Sequence, residues 1–181
     1  MSVKEAVRAQ DTSAPIYEQR ARYICNENGF DFSYPPVPTH QFLAERDRAF
    51  GQDTVSGMVE LDASSVLGTA YAATTPTLLC RYVKVRADDR LSGMVVASGE
   101  IFCVIAGRGA SRNGRDEIAW SMGNVFCFPG GVETIHTATD DAVLFSVSDA
   151  PLLALAGMST DARSCDCGSG QLVRRRNRSS T

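Results

Sequence analysis

The sequence predicts an all-β fold, an antiparallel barrel or sandwich, from residue 76 onward. This half consists of short runs rich in β-branched and aromatic residues, separated by turn signals such as Asn113-Gly114. About seven such runs follow one another without an intervening helix, which excludes a parallel βαβ architecture for this half. With 181 residues, of which 44% are hydrophobic, the chain is long enough to bury the core of such a barrel.

The first 75 residues are expected to form a partly helical N-terminal arm that packs on the barrel. Pro35-Pro36-Val37-Pro38 is stiff and extended and is excluded from a central strand, and a short helix is expected over residues 41–50. The barrel itself is assigned to residues 76–157. Residues 158–181 form a basic tail that is expected to be disordered, because Arg, Ser and Gly dominate it without an apolar stripe.

Within the barrel, each expected strand is a run of apolar and β-branched residues that ends at a glycine, a proline or a pair of polar residues. Asp88-Asp89-Arg90, for example, is a turn signal between the first run and the apolar run that begins at Gly93. The expected strands cover residues 77–87, 93–97, 100–106, 110–112, 116–120, 125–128, 132–138 and 142–148.

Composition excludes several classes of partner. Residues 162–181 hold five arginines and one aspartate, which leaves 13 basic against 20 acidic side chains in residues 1–161. An acidic body disfavours nucleic acid as a partner. No apolar run approaches the roughly 20 residues that cross a bilayer, and the N-terminus is charged where a signal peptide is apolar. We therefore expect a cytoplasmic protein without a membrane contact.

Two spacings in the barrel segment are typical of one known family. Glu100 and Gly107 are separated by six residues, and residues 123–131 form a G-x5-P-x-G run. Together they resemble the two motifs of the cupin superfamily, the RmlC-like proteins. The resemblance implies a single double-stranded β-helix barrel, or jelly roll, over roughly residues 76–150.

The resemblance also implies a metal site, and the sequence departs from it there. In cupins, three histidines and one glutamate hold a divalent metal, usually iron or manganese; the corresponding positions are Met94, Val96, Glu100 and Thr134. Only the glutamate matches, and Met94 and Val96 offer neither an imidazole nitrogen nor an oxygen. The sequence contains two histidines in all, so a site with three imidazoles is excluded within one chain. We therefore expect no metal cofactor, with Fe(II) as the alternative.

His136 lies two residues beyond Thr134, and alternate residues of a strand face the same side. If Thr134 points into the barrel, so does His136, and Glu100 with His136 then offers two metal ligands. The alternative is a histidine that makes hydrogen bonds in the interior. Two ligands seldom retain a metal without a third, so this alternative is favoured.

Arg81 and Glu100 are the charged candidates for a binding site. Arg81 alternates with apolar residues, and on an inward face it needs an anionic partner, either Glu100 or the carboxylate of a ligand. On an outward face it is ordinary surface. For Glu100 the sequence leaves open an anchor inside the barrel, a solvent-facing side chain and a partner of an arginine such as Arg81.

A narrower resemblance concerns residues 35–38, 45–49, 74–79 and 98–102. These stretches are similar to the N-terminal half of two-barrel cupins related to gentisate 1,2-dioxygenase, which cleave an aromatic ring with Fe(II) and dioxygen. After Gly157 the sequence becomes rich in Ser, Arg and Cys where a two-barrel cupin continues. We therefore expect a truncated or frame-altered homologue with one barrel. Family resemblance also implies a homo-oligomer.

The predicted function is that of a cupin-domain protein without the usual metal histidines, a non-catalytic small-molecule-binding or structural and regulatory module. The alternative is an Fe(II)-dependent, gentisate dioxygenase-like enzyme that cleaves aromatic rings at a non-standard site or with a partner barrel. A third hypothesis is metal-free acid–base chemistry with His136 as the base. A ligand, a small organic or aromatic acid, is expected in the barrel mouth against Met94, Val96, Phe102, Val104 and Phe126, which are otherwise plain core. No catalytic residue is assigned, and the ligand-binding candidates are Arg81, Met94, Val96, Glu100, Thr134 and His136.

Overall fold

The structure is a computed structural model that describes residues 15, 16, 25, 38–158 and 173–174. By contacts the chain divides into Met1–Val37 and Pro38–Thr181. Nearly all of the first unit, and with it the first half of the predicted arm, lies outside the described residues. The same is true of the predicted disordered tail, except Met158 and residues 173–174.

Ten strands and three helices make up the described part of the second unit. The helices are α1 (Leu43–Phe50), α2 (Ser64–Leu67) and α3 (Ala150–Ala156), and none of the helices in the described part is long and apolar enough to cross a membrane. The strands are β1 (Gly57–Glu60), β2 (Leu79–Val85), β3 (Arg90–Gly93), β4 (Gly99–Ala106), β5 (Arg108–Asn113), β6 (Asp116–Ser121), β7 (Asn124–Pro129), β8 (Thr134–Ala138), β9 (Ala142–Ser148) and β10 (Val173–Arg174).

The strands form two antiparallel sheets. One has the order β1-β2-β9-β4-β7-β10 and the other the order β3-β8-β5-β6. The Asn113-Gly114 signal does form a tight hairpin, in which Asn113 pairs with Asp116 and Gly114 adopts a left-handed φ of 59°. The all-β prediction is confirmed, and the two sheets face each other as in a barrel or sandwich.

The core lies between the two sheets and is aromatic at its centre. Phe102 stacks on Phe126 with ring centroids 5.1 Å apart, and Phe128 meets both rings edge-on. All three side chains are only 1% exposed. Alternate residues of a strand share a face. Other residues on the same face of these strands, including polar residues, therefore also point into the interior.

The run at residues 93–97 is not the strand that the sequence predicts. The strand β3 ends at Gly93, and the residues after it pack against the turn between β7 and β8. The Gly131 amide donates to the Val95 carbonyl at 2.8 Å, and the Gly130 amide donates to the Ser98 carbonyl at 3.2 Å. These contacts replace a strand ladder, so the prediction of a strand over 93–97 is wrong.

The strand β1 lies inside the segment assigned to the arm and is not predicted from the sequence. Its four residues pair with β2, with Glu60 opposite Arg81. The helix α1 starts two residues later than expected and packs on the outer side of this sheet, where Phe50 meets Tyr82 edge-on at 5.8 Å. The strand escaped prediction because four residues carry too little periodicity to be recognised.

Gly130 permits the close packing that holds residues 95–98 in place. A Cβ built at this position lies 1.8 Å from the Ala97 carbonyl oxygen, closer than any real contact. We expect Gly130→Ala to lower the free energy of unfolding by about 1–3 kcal/mol, because backbone must move to admit the methyl group. Gly57→Ala is the matched control, since its Cβ meets nothing within 4 Å. Urea denaturation measures both, and equal stabilities of the two variants would contradict this account.

Candidate functional site

The inward face of the six-stranded sheet turns polar at one end of the barrel. Arg81 of β2 pairs in register with Ser146 of β9, and Ser148 pairs with Glu100 of β4. All four side chains are buried. The small serines of the intervening β9 leave room above this strand, so the long side chain of Arg81 reaches across it toward Glu100.

An ion pair between Arg81 and Glu100 dominates the electrostatics of this end. Arg81 Nη1 donates to Glu100 Oε1 at 3.3 Å, and the two side chains are 7% and 8% exposed. Glu60 Oε1 lies 3.3 Å from Arg81 Nε, but the Glu60 side chain is half exposed. A buried charge needs a partner. The structure thus places Arg81 inward and makes Glu100 both an interior anchor and the partner of an arginine.

His136 also faces inward and takes part in a buried chain of hydrogen bonds. Trp120 Nε1 donates to Ser111 Oγ at 2.7 Å, and Ser111 Oγ lies 2.7 Å from His136 Nδ1. Ser111 Oγ accepts from the indole and keeps one hydrogen and one further lone pair, so its bond with His136 Nδ1 forms with either neutral tautomer of the ring. Nε2 has no hydrogen-bond partner among the described residues. Burial lowers the pKa of His136 from 6.5 to about 4, so the ring is neutral near pH 7.

Thr134 faces inward as well, and its hydroxyl is engaged. Asn113 Nδ2 donates to Thr134 Oγ1 at 2.8 Å, and both side chains are buried. The shared face of Thr134 and His136 that the i, i+2 spacing predicts is therefore observed. Asn113 and Ser111 hold these two side chains. Neither was predicted as a site residue from the sequence, because polar residues in a hairpin usually face solvent.

Met94 and Val96 do not lie inside the barrel, contrary to the expectation from the motif. Their exposed fractions are 64% and 47%, because β3 ends at Gly93. The other three residues that were expected to line the barrel mouth belong to the closed hydrophobic core instead. Phe102, Val104 and Phe126 are each 1% exposed.

Met94, Val96 and Arg81 nevertheless line the same cavity, which has a volume of about 350 Å³ and lies near the polar end. One wall is the segment after β3 and another is α3, and both are largely apolar. Arg81 is the charged residue among those that line it. The lining residues are Tyr71, Ala72, Arg81, Met94, Val95, Val96, Ala150, Pro151, Ala154 and Met158.

A larger cavity, of about 500 Å³, lies at the other end of the strands against Gly109, Trp120 and Thr139. Arg108 at its rim is exposed and forms an ion pair with Asp140 at 2.6 Å. Exposed pairs of this kind are screened by water and hold a ligand weakly. The cavity beside Arg81 is the better candidate site, because its charge is buried.

The residues at the four cupin metal positions do not fit a divalent metal. Met94 and Val96 are exposed and carry no hard donor, and Thr134 already accepts a hydrogen bond. Glu100 is the one suitable ligand, and a guanidinium is bound to it. Among the described residues, no group of three or more His, Cys, Asp or Glu side chains is placed to hold a metal ion.

No protein-family model matches the chain. Over 101 residues, 55% of this chain and 27% of the relative, the chain is 30% identical to 5-aminosalicylate 1,2-dioxygenase from Comamonas sp.. A crystal structure of a salicylate 1,2-dioxygenase variant from Pseudoaminobacter salicylatoxidans with gentisate aligns with a TM-score of 0.53 and 18% identity over 74% of this chain and 36% of that one. A cupin-2 domain protein from Shewanella frigidimarina aligns with a TM-score of 0.36 and 19% identity over 42% of this chain and 74% of its own.

The likeness to the salicylate dioxygenase shows the fold. The chain has the cupin fold, and its predicted resemblance to gentisate dioxygenase-like proteins is confirmed. The chain spans about a quarter to a third of the length of the two dioxygenases that it matches.

The buried ion pair generates a prediction for stability. We expect Arg81→Met to lower the free energy of unfolding by about 3–5 kcal/mol, because Glu100 is left buried without its counter-charge. The double variant Arg81→Met/Glu100→Met should recover much of this loss, since both charges are then absent. Arg46→Met is the control: its pair with Asp47 is exposed, and its loss should cost less than about 1 kcal/mol. Urea denaturation measures the free energy of unfolding of the wild type and the three variants. A double variant that is less stable than Arg81→Met would contradict the prediction.

The buried His136 generates a prediction for acid stability. Its folded pKa of about 4 lies below the 6.5 of an unfolded chain, so the unfolded state binds more protons between these values. The stabilisation is complete above about pH 6.5 and is lost as the pH falls toward 4, by an amount on the order of 3 kcal/mol. His136→Gln should flatten this slope in denaturation curves between pH 7 and 4. His40→Gln, at the exposed histidine, should keep it; a slope that survives in His136→Gln would assign it to other groups.

Proposed function

We propose that this protein is a metal-free cupin barrel that binds a small organic acid in the cavity beside Arg81, without catalysing its conversion. The observation that carries this proposal is that Arg81, a buried arginine, lines a largely apolar cavity of about 350 Å³. Ligand sites typically combine apolar walls with a few oriented polar groups. Arg81 supplies that polar group, because a guanidinium matches the geometry of a carboxylate.

The same end of the barrel places no carboxylate or imidazole among the described residues that line the cavity. Glu100 is paired with Arg81, and His136 is fully buried in contact with Ser111 and Phe102 and is not among the residues that line the cavity. A general base must reach the proton that it removes. The acid–base hypothesis for His136 therefore finds no support in this arrangement.

The choice of an organic acid is supported by the relatives as well. The matched proteins are named for salicylate and 5-aminosalicylate, and one structure contains gentisate. These names also favour a second candidate function, an Fe(II)-dependent dioxygenase that acts with a non-standard site or a partner barrel. We propose the binding module first, because the cupin metal positions of this chain carry unsuitable donors.

Blocking the cavity tests the proposal. Titration calorimetry or NMR with benzoate and with gentisate should detect binding to the wild type. Ala154→Trp should weaken it by at least about tenfold, since the indole fills the space beside Arg81. Ala156→Trp is the matched control, because Ala156 is exposed on the same helix but does not line the cavity. Binding that Ala154→Trp leaves unchanged, or no binding of either acid, would overturn the proposal.

Oxygen uptake separates the two candidate functions. With gentisate and added Fe(II), the binding module should consume no dioxygen above the protein-free background. Uptake that requires the protein, and that is lost in Glu100→Gln, would establish the dioxygenase instead. Iron retained in stoichiometric amount after gel filtration would point the same way.

A further inference from the structure

The nitrogen atoms of the Arg81 guanidinium differ in their hydrogen bonds. Nη1 donates to Glu100, whereas Nε makes no hydrogen bond to any residue that the structure describes. Nε and Nη2 together form the side-on edge of a guanidinium, the edge that pairs with both oxygens of a carboxylate. Glu60 Oε1 lies 3.3 Å from Nε and thus stands at this edge without hydrogen-bonding to Nε.

The two carboxylates beside Arg81 differ in their freedom to move. Glu100 is 8% exposed and belongs to β4, which is paired on both sides, with β9 and β7. Glu60 is 49% exposed and ends β1, which is an edge strand of its sheet. A rotation that carries Glu60 into water costs little, because half of its side chain is already hydrated. The same movement of Glu100 would leave a buried arginine without the carboxylate that accepts its hydrogen bond.

We propose that Glu60 is a built-in competitor for the acid ligand. It occupies the side-on edge of Arg81 in the free protein, and the carboxylate of the ligand displaces it. This inference rests on the proposed binding of an organic acid beside Arg81. It assigns Glu60 the role of lowering the affinity for acids while leaving the affinity for neutral molecules unchanged.

Charge balance explains why the exchange is one for one. Arg81 is a single positive charge with two carboxylates already within 4 Å. A third carboxylate would meet net repulsion at close range. When Glu60 leaves as the ligand arrives, the charge around Arg81 is unchanged, and the ligand makes the hydrogen bonds that Glu60 does not. An uncharged ligand of the same shape does not compete with Glu60 for the Arg81 guanidinium.

The test uses Glu60→Gln with benzoate and its uncharged analogue benzamide as probes. A competing ion pair at a half-exposed position is worth up to about 1 kcal/mol, so benzoate should bind about threefold to fivefold more tightly to Glu60→Gln than to the wild type. The benzamide affinity should stay the same. Glu117→Gln, which makes the same charge change on an exposed residue of β6, should leave both affinities unchanged.

The outcomes separate this inference from the proposed function. If benzoate binds the wild type and is excluded by Ala154→Trp, but Glu60→Gln binds it no more tightly, the competitor role is overturned and the binding site stands. Equal tightening in Glu60→Gln and Glu117→Gln would reduce the effect to net charge and overturn it too. If benzoate binds none of the proteins, the proposed function itself fails.

Discussion

The ion pair between Arg81 and Glu100 is the constraint on which the polar end of the barrel depends. It joins β2 to β4 above the intervening β9, and this bridge is allowed because Ser146 and Ser148 are small. Large apolar side chains at those two positions would fill the space that the guanidinium crosses. A charge pair in this setting is weak evidence for net stability, because desolvation offsets much of its attraction. Its effect is to fix where a cation stands inside the barrel.

That cation is bound to the carboxylate that the cupin resemblance assigns to a metal. Glu100 occupies the position of the metal-binding carboxylate, and its negative charge is met by a guanidinium that belongs to the chain itself. The difference is chemical as well as electrostatic: a guanidinium donates hydrogen bonds and has no open coordination positions for dioxygen. The positive charge beside Glu100 can therefore donate hydrogen bonds to an anion but offers no coordination chemistry of its own.

The sequence predicts most of the barrel and only part of the site, and particular residues show why. Turn signals such as Asn113-Gly114 are local, so the strands around them are found from the sequence. The run after Gly93 was misassigned because its backbone is held by Gly130 and Gly131, contacts that are distant in sequence. Arg81 was left open between inward and outward, since a strand with polar residues on both faces does not reveal its buried side by alternation. Glu60 was missed because β1 is too short to show a period.

The early end of β3 affects both the metal positions of the motif and the cavity beside Arg81. If the strand ladder continued to Ala97, Met94 and Val96 would face the same interior as Glu100, at the positions that hold histidines in metal-binding cupins. Because the ladder stops at Gly93, these two side chains turn outward and become part of the wall of the cavity. Arg81, which is bound to Glu100, lines the same cavity. The departure that removes two metal positions from the barrel interior therefore also helps build the cavity beside the arginine.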